Sequence, residues 1–284
     1  MPSLWLLLNH ISNELISVSD NPRFEAELLL AHALNITRAE LLSKIKEEIN
    51  YPKQLNKWIE RRKRHEPIAY ILGYTEFFGL KIETVPPIFI PRPETELLVE
   101  EALKIIEVNN KEIFNILELC TGTGCISIAI YKNTNKKVKC FAIDINENAV
   151  KLAQHNAKEN KVSVNFIVGN LFTSIDNKNK FDIILANPPY IPEKNRDDLP
   201  TSVKDYEDSK ALFCQDDGTY IIHQIISEAR RYLTINGWLL TEIGDDQKEL
   251  VEKIFQENGY DNIETIFDLQ KLPRVVKGNW NGIK

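Results

Sequence analysis

Between Ile113 and Asn258 the chain alternates short apolar runs with amphipathic stretches, an order that few architectures accept. Ile113 to Leu119 reads as a buried strand and Cys125 to Tyr131 as a helix. Val138 to Ile143 reads as a strand, Glu147 to Glu159 as a helix, and Val164 to Val168 and Phe181 to Ala186 as strands. Tyr220 to Leu233 has apolar residues at 221, 222, 225, 226, 229, 232 and 233, which predicts a helix. Trp238 to Glu242 then reads as a strand and Gln247 to Asn258 as a helix. Strands that are apolar throughout, separated by helices, belong to a mostly parallel sheet covered on both faces. The fold class is therefore α/β.

The residues before this region have another texture. Residues 1–73 read as a small helical domain. Arg23 to Leu34 carries an apolar stripe through Phe24, Leu28 and Ala31. Thr37-Arg38-Ala39-Glu40 is a capping box, in which the hydroxyl and the carboxylate satisfy orphan N–H groups at a helix start. Trp58 and Ile59 sit on a helix ending near Glu66-Pro67. Residues 74–90 read as a hairpin connector: Phe77, Phe78, Leu80 and Ile82 flank Gly79, and Pro86, Pro87, Pro91 and Pro93 stiffen the chain beyond it. Residues 91–284 form the larger domain, opened by a helix through Leu97, Leu98, Val99, Ala102, Leu103 and Ile106.

Several classes of function are excluded by composition. No apolar run approaches the roughly 18 residues that span a bilayer, and Leu4 to Leu8 reads as the start of a buried helix, not a signal peptide. Four cysteines with no close pair argue against a disulfide or zinc framework, so a reducing cytoplasm is expected. The net charge is -6, and residues 1–90 are neutral, with 11 basic and 11 acidic side chains. A protein gripping duplex DNA through many phosphates shows a basic face. Only Lys53 to Arg64 looks basic here. It reads as a solvated helix face, with a contact strip for an RNA-rich or acidic partner as the alternative.

Glu118-Leu119-Cys120-Thr121-Gly122-Thr123-Gly124-Cys125 follows the first buried strand and opens a helix. Glycines let the backbone turn sharply and let a ligand approach with no Cβ in the way. Asp144, twenty residues after Gly124, ends the next strand, where a carboxylate can accept both ribose hydroxyls of a nucleoside cofactor. A dinucleotide fingerprint needs a third glycine where Ser127 stands, and no Walker lysine follows. A cofactor without phosphate suits the loop better, and S-adenosylmethionine is the common one. A plain tight turn is the alternative.

Asn187-Pro188-Pro189-Tyr190 ends the strand Phe181 to Ala186. In an open parallel sheet chemistry gathers outside the carboxyl ends of the strands. The Asn187 carboxamide oxygen can accept from a substrate NH2, and the stiff prolines can hold a carbonyl where it takes the second N–H. Tyr190 offers an aromatic wall. Such a site fits a planar, conjugated NH2, as in a side-chain amide or an adenine. Two fixed acceptors orient that nitrogen and favour the positive charge that builds during attack. No Ser/His/Asp set and no paired metal ligands are found among the five His, so no metal is expected.

At these residues the sequence resembles the bacterial release-factor glutamine methyltransferases, the PrmC/HemK family. The resemblance covers nearly the whole chain. It includes Glu25 to His32, Glu66 to Gly73, Phe77-Phe78-Gly79 and Pro91-Arg92-Pro93-Glu94-Thr95-Glu96. It continues through Thr121 to Gly124, Asp144, Asn187 to Tyr190, Asp217-Gly218 and Glu242-Ile243-Gly244. The resemblance implies a helical substrate-recognition domain, a hairpin connector and a Rossmann-like, seven-stranded methyltransferase domain. It implies transfer of a methyl group from S-adenosylmethionine to the glutamine N5 in the Gly-Gly-Gln motif of class-one peptide chain release factors. Cys120, Thr121, Gly122, Thr123 and Gly124 would hold the methionine end of the cofactor, Asp144 the ribose, and Leu171 the adenine. Asn187, Pro188, Pro189 and Tyr190 would hold the glutamine, with Asn187 also beside the cofactor. A monomer with no membrane and no stable nucleic-acid partner is expected. The alternatives are glutamine methylation of a large-subunit ribosomal protein and adenine-N6 methylation of nucleic acid. The sequence departs from the family at Cys120 (usually glycine), Asn170 (usually acidic), Leu171 (often aromatic) and Glu207-Asp208 (usually Glu-Pro).

Overall fold

The computed structural model describes residues 1–215 and 217–282. The chain divides into two compact units, Met1–Tyr74 with Pro200–Tyr206, and Thr75–Leu199 with Glu207–Lys284.

The first unit is helical: α1 (Leu4–Leu15), α2 (Pro22–Leu34), α3 (Arg38–Ser43), α4 (Gln54–Lys63) and α5 (Ile68–Leu72). Each start has a local cause. The Ser3 hydroxyl accepts from Leu6 N, Asn21 caps α2 with Pro22 in its first turn, and both halves of the Thr37/Glu40 capping box form. Gly73 ends α5 in the left-handed region. The core is built from Leu4, Leu8, Ile11, Leu29, Leu30 and Leu55 with their neighbours. Burying each such side chain contributes about 1.5–3 kcal/mol.

Two sequence expectations shift here. On α2 the buried face is Ala26, Leu29, Leu30 and Ala31, whereas Phe24 is 40% exposed under the Arg38 guanidinium, 5.1 Å from its ring centroid. Apolar and charged residues are mixed around the helix, and Glu27 is buried in ion pairs with Arg23 and Arg38, so spacing alone does not fix which face turns inward. The basic run on α4 is largely neutralised. Arg61 pairs with Glu66 (2.5 Å), the buried Arg62 with Glu25 (2.7 Å), and Lys63 with Glu14 (2.9 Å). Arg62 also donates to the Val18 carbonyl at 2.6 Å. The run thus supplies internal cross-links more than a cationic strip. Pro200–Tyr206, with helix α9 (Thr201–Lys204), was expected in the catalytic domain and groups with the helical unit instead; the Tyr206 hydroxyl donates to the Arg64 carbonyl at 2.7 Å.

The second unit holds a seven-stranded sheet: β1 (Ile113–Leu119), β2 (Lys137–Asp144), β3 (Val164–Val168), β4 (Phe181–Ala186), β5 (Leu233–Glu242), β6 (Asp261–Phe267) and β7 (Pro273–Trp280). The order is β6-β7-β5-β4-β1-β2-β3, and β7 runs antiparallel to both neighbours while the other pairs are parallel. Helices α6 (Glu96–Val108), α7 (Cys125–Asn133), α8 (Glu147–Glu159), α11 (Tyr220–Ala229) and α12 (Lys248–Glu257) cover it, and a short α10 (Ser209–Leu212) precedes α11. One face packs Ile222, Ile225, Ile226, Val251 and Phe255 on the sheet, and the other packs Leu98, Val99, Ala102, Ile126 and Ile130. Both faces of the central strands are therefore dry, which explains why β1 and β4 are apolar without alternation.

The expected helix over Tyr220 to Leu233 stops at Ala229, and the strand expected from Trp238 begins at Leu233. Tyr232 and Leu233 fall on helical spacing, yet Leu233 already pairs with Phe181 in the sheet. The hairpin forms as Tyr74–Phe77 and Leu80–Glu83 around Phe78 and Gly79, both left-handed at φ 51 and 71. A two-residue turn with both φ positive matches strand twist. Asn156 of α8 joins this hairpin to the glycine loop: its amide oxygen accepts from Glu83 N (2.8 Å), and its nitrogen donates to the carbonyls of Glu83 (3.1 Å) and Thr123 (3.0 Å). Among the described residues no helix is long and apolar enough to cross a membrane.

Candidate active site

Three strand ends meet over a cavity of about 570 Å3. The ends of β1, β2 and β4 deliver the glycine loop, Asp144 and Asn187, the arrangement a parallel sheet provides at its carboxyl edge. Cys120, Thr121, Gly122, Thr123, Asp144, Leu171 and all four of Asn187 to Tyr190 line this cavity. Gly124 does not; it sits behind the loop as the cap of α7.

The loop is wound by left-handed residues at Cys120 (φ 57), Gly122 (φ 55) and Gly124 (φ 80). A Cβ on Gly124 would lie 3.0 Å from the Ala153 Cβ and 3.1 Å from the Phe166 ring, so the close packing of α7 requires glycine there. At Gly122 no atom lies within 4 Å of where a Cβ would stand, so the bare backbone faces open space. Cys120 holds its left-handed conformation with a side chain, packed against the apolar core beside Ile143. Burial, and then the nearby Asp144 and Glu118 carboxylates, push its thiol pKa up, so it stays a neutral packed group.

Asp144 braces the loop. Its Oδ2 accepts from Gly122 N (2.8 Å) and its Oδ1 from Asn146 N (2.8 Å). Each oxygen keeps a further lone pair for a ligand hydroxyl. Burial raises the Asp144 pKa, opposed by these backbone bonds. Behind the loop Glu118 is wholly buried; its Oε2 accepts from Ser127 N at 2.9 Å, and burial raises its pKa to about 7.

The Asn187 carboxamide donates from Nδ2 to the Thr95 hydroxyl at 3.1 Å. With the nitrogen committed, the carboxamide oxygen is the atom available to accept from a substrate. The Tyr190 hydroxyl donates to Glu242 Oε1 at 3.1 Å, and the Tyr190 carbonyl accepts from Gln247 Nε2 at 2.9 Å. Gln247 also donates to the Asp217 carbonyl (3.0 Å) and accepts from Gly244 N (2.8 Å). One buried amide thus fixes the loops after β4 and β5 to each other. Gly218 is left-handed at φ 87, and a Cβ there would stand 2.0 Å from the Tyr190 oxygen.

The segment Pro91 to Glu96 divides its work by residue. Pro91 and Thr95 line the cavity. Arg92 pairs with the buried Glu207 at 2.5 Å, whose other oxygen accepts from Ile90 N at 3.2 Å. Glu96 accepts from Phe78 N at 2.7 Å and so holds the hairpin turn. Asp208 donates its backbone N–H, a group that a proline would lack, to the Pro87 carbonyl at 2.7 Å. Among the described residues no group of three or more His, Cys, Asp or Glu is placed to hold a metal.

Sequence reasoning assigned no role to Thr95, Ile145, Glu242 or Gln247. Ile145 lines the cavity while 66% exposed, an apolar side chain left open directly after Asp144. Glu242 carried the same signal as Asp144 and Asn187, a polar residue closing an apolar strand at its carboxyl end. Gln247 carried none.

Residues 110–281 match a family described as "Methyltransferase domain", and residues 7–73 one described as "PrmC N-terminal domain". A release factor glutamine methyltransferase of Aliivibrio fischeri is 38% identical over 279 residues, covering 97% of this chain and 96% of its own. One from Coxiella burnetii is 38% identical over 282 residues, covering 97% and 98%. Among solved structures, a methyltransferase from Pyrococcus furiosus superposes with a TM-score of 0.53 at 19% identity, over 73% of this chain and 91% of its own, a likeness of fold.

Proposed function

This chain belongs to the family of release factor glutamine methyltransferases, and from that premise we propose that it methylates the side-chain amide nitrogen (N5) of the glutamine in the Gly-Gly-Gln loop of a class-one peptide chain release factor, using S-adenosylmethionine.

The residues present fit that cofactor. The cavity volume of about 570 Å3 lies within the usual range of small-molecule sites. Ile88, Ile145 and Leu171 give an apolar wall for a base, Asp144 a carboxylate for a ribose, and Gly122 open space against bare backbone. The third glycine of a dinucleotide-binding loop is replaced by Ser127. When bound, the cofactor supplies an electrophilic methyl on a sulfonium.

The protein's own groups prepare the nucleophile. An amide nitrogen is a weak nucleophile because its lone pair is delocalised into the carbonyl. The Asn187 oxygen accepts one N–H of the incoming glutamine, and a carbonyl of the Pro188-Pro189 segment takes the other. The Tyr190 carbonyl is engaged by Gln247 and holds the loop instead. Two fixed acceptors stabilise the positive charge that grows on nitrogen as the new N–C bond forms and the methyl–sulfur bond breaks, its electron pair staying on the sulfur of the product S-adenosylhomocysteine. The proton then leaves to solvent, so no strong base is required.

The observation that carries this reading is the Asn187 to Thr95 hydrogen bond, which commits the amide nitrogen and leaves the oxygen as the acceptor of a residue lining the same cavity as Asp144. Asn187→Ala is expected to abolish turnover of release factor while S-adenosylmethionine affinity changes less than threefold. Calorimetry run beside a turnover assay reads both, and an active Asn187→Ala enzyme sinks the mechanism.

A further inference from the structure

The carboxyl end of β5 places an acid that the proposed methyl transfer does not use. Glu242 is 1% exposed and faces Tyr190 of the catalytic loop and Thr95, which accepts from Asn187. Its Oε1 accepts from the Tyr190 hydroxyl, and its Oε2 is buried without a hydrogen-bond partner among the described residues. The Thr95 hydroxyl stands beside this carboxylate and favours its ionised form, while Oε2 itself is left without a hydrogen bond. A short chain of polar groups therefore runs from Glu242 through Thr95 to Asn187.

The two ends of a carboxamide are almost the same shape, so only the neighbours decide which end faces the cavity. Asn187 presents Nδ2 to the Thr95 hydroxyl. That orientation requires Thr95 to act as acceptor toward Asn187 and to aim its own proton elsewhere. An ionised Glu242 is the acceptor for that proton. A protonated Glu242 donates to Thr95 instead, which frees the Thr95 proton to bond the carboxamide oxygen. The amide then turns over and points N–H groups at the substrate nitrogen, where they repel its own.

We propose that Glu242 is a positioning residue that, through Thr95, holds the Asn187 carboxamide with its oxygen toward the substrate. This inference rests on the amide-methylating role proposed for Asn187. The same carboxylate anchors the Tyr190 ring through the phenol, so one group fixes both the acceptor and the wall of the site. The phenol stays neutral and donating, because burial and Glu242 itself raise its pKa.

Protonation of Glu242 links the device to pH. Burial raises its pKa to about 7. The Tyr190 hydrogen bond and the adjacent Thr95 hydroxyl oppose the rise, Arg274 of β7 opposes it by charge, and Glu94 before α6 adds to it. Cys125 of α7 also faces Glu242, and its thiol is pushed up and neutral. Activity should therefore rise with pH through this range.

The test compares Glu242→Gln, Thr95→Val and Thr95→Ser with the wild type, with release factor as substrate and S-adenosylmethionine as donor. Glutamine keeps an acceptor for Tyr190 and presents a permanent N–H to Thr95, imitating the protonated acid. Glu242→Gln should lower kcat about tenfold, the weight of one hydrogen bond on an orientation equilibrium, with S-adenosylmethionine affinity unchanged. The acidic limb of the wild-type pH profile should flatten in this variant; a limb arising from Glu118 would persist. Thr95→Val should lose kcat similarly, and Thr95→Ser should restore most of it. Should Glu242→Gln fail to fold, the Thr95 pair decides. Wild-type kcat in both Glu242→Gln and Thr95→Val, with the acidic limb intact, overturns the inference and leaves the function standing. A wild type that transfers no methyl to release factor overturns the function and the inference together.

Discussion

A methyl group added at Gly218 strikes the catalytic loop from behind. The new Cβ would stand 2.0 Å from the Tyr190 oxygen, 2.7 Å from Gln247 Nε2 and 2.9 Å from the Tyr190 carbonyl carbon. An ordinary contact needs about 3.4 Å, so the carbonyl must retreat by more than 1 Å. Tyr190 is three residues after Asn187, on a proline-stiffened segment that transmits the shift. Misplacement of about 1 Å in a reacting constellation lowers rate on the order of 100-fold. Stability falls as well. A side chain in the left-handed region costs about 1–2 kcal/mol, and the Gln247 to Tyr190 hydrogen bond contributes a further ~1 kcal/mol. Gly218→Ala should therefore lose about 2–3 kcal/mol, or very roughly 5–10 °C in Tm at the 2–4 °C per kcal/mol of a large domain. Asp144 and the glycine loop lie on other strands, so cofactor affinity should change less than threefold. Initial rates, a thermal melt and calorimetry on one preparation read all three. A Gly218→Ala enzyme with kcat within threefold of wild type would refute the claim that the Asp217-Gly218 turn sets the catalytic loop.

Two more outcomes rest on the same geometry. Asp144→Ala should weaken S-adenosylmethionine binding by roughly 1.5–3 kcal/mol, the scale of hydrogen bonds to a charged group, and free the Gly122 N–H that it now holds; an unchanged dissociation constant places the ribose elsewhere. Glu118 has a folded pKa raised from 4.5 to about 7, so the wild type loses stability as pH climbs from 4.5 through 7, by up to roughly 3 kcal/mol. Glu118→Gln removes that slope, so its stability relative to wild type should improve between pH 5 and pH 8 in denaturant melts; a difference independent of pH contradicts the assignment.

The central strands were legible because burial on both faces writes an uninterrupted apolar run. Of these, Ile113 to Leu119 and Phe181 to Ala186 have the same limits in sequence and structure; the edge strand Val164 to Val168, with no residue fully buried, and the helix Glu147 to Glu159 keep theirs as well. Strands β6 and β7 were not placed by residue. Their polar residues, such as Glu264 and Lys277, pair with each other across the strands and break the apolar signal. In the site, the residues that close a strand or a glycine turn were visible, since one stretch of chain carries the whole signal. The groups that aim them were not. Thr95 and Asn187 are 92 residues apart, and Tyr190 and Glu242 are 52 apart. Only the completed sheet brings such pairs together. Arg62 shows the same limit in the helical unit: as a sequence it is one of a run of cations, and as a structure it is a buried partner of Glu25.

The most direct measurement is tandem mass spectrometry after the enzyme is incubated with labelled S-adenosylmethionine and, in parallel, a class-one release factor, large-subunit ribosomal proteins and adenine-containing DNA. The account predicts a single added methyl on the glutamine of the release factor's Gly-Gly-Gln loop and negligible label on the other two. Methyl transfer to ribosomal protein or to adenine at comparable efficiency, or to another release-factor residue, would contradict it.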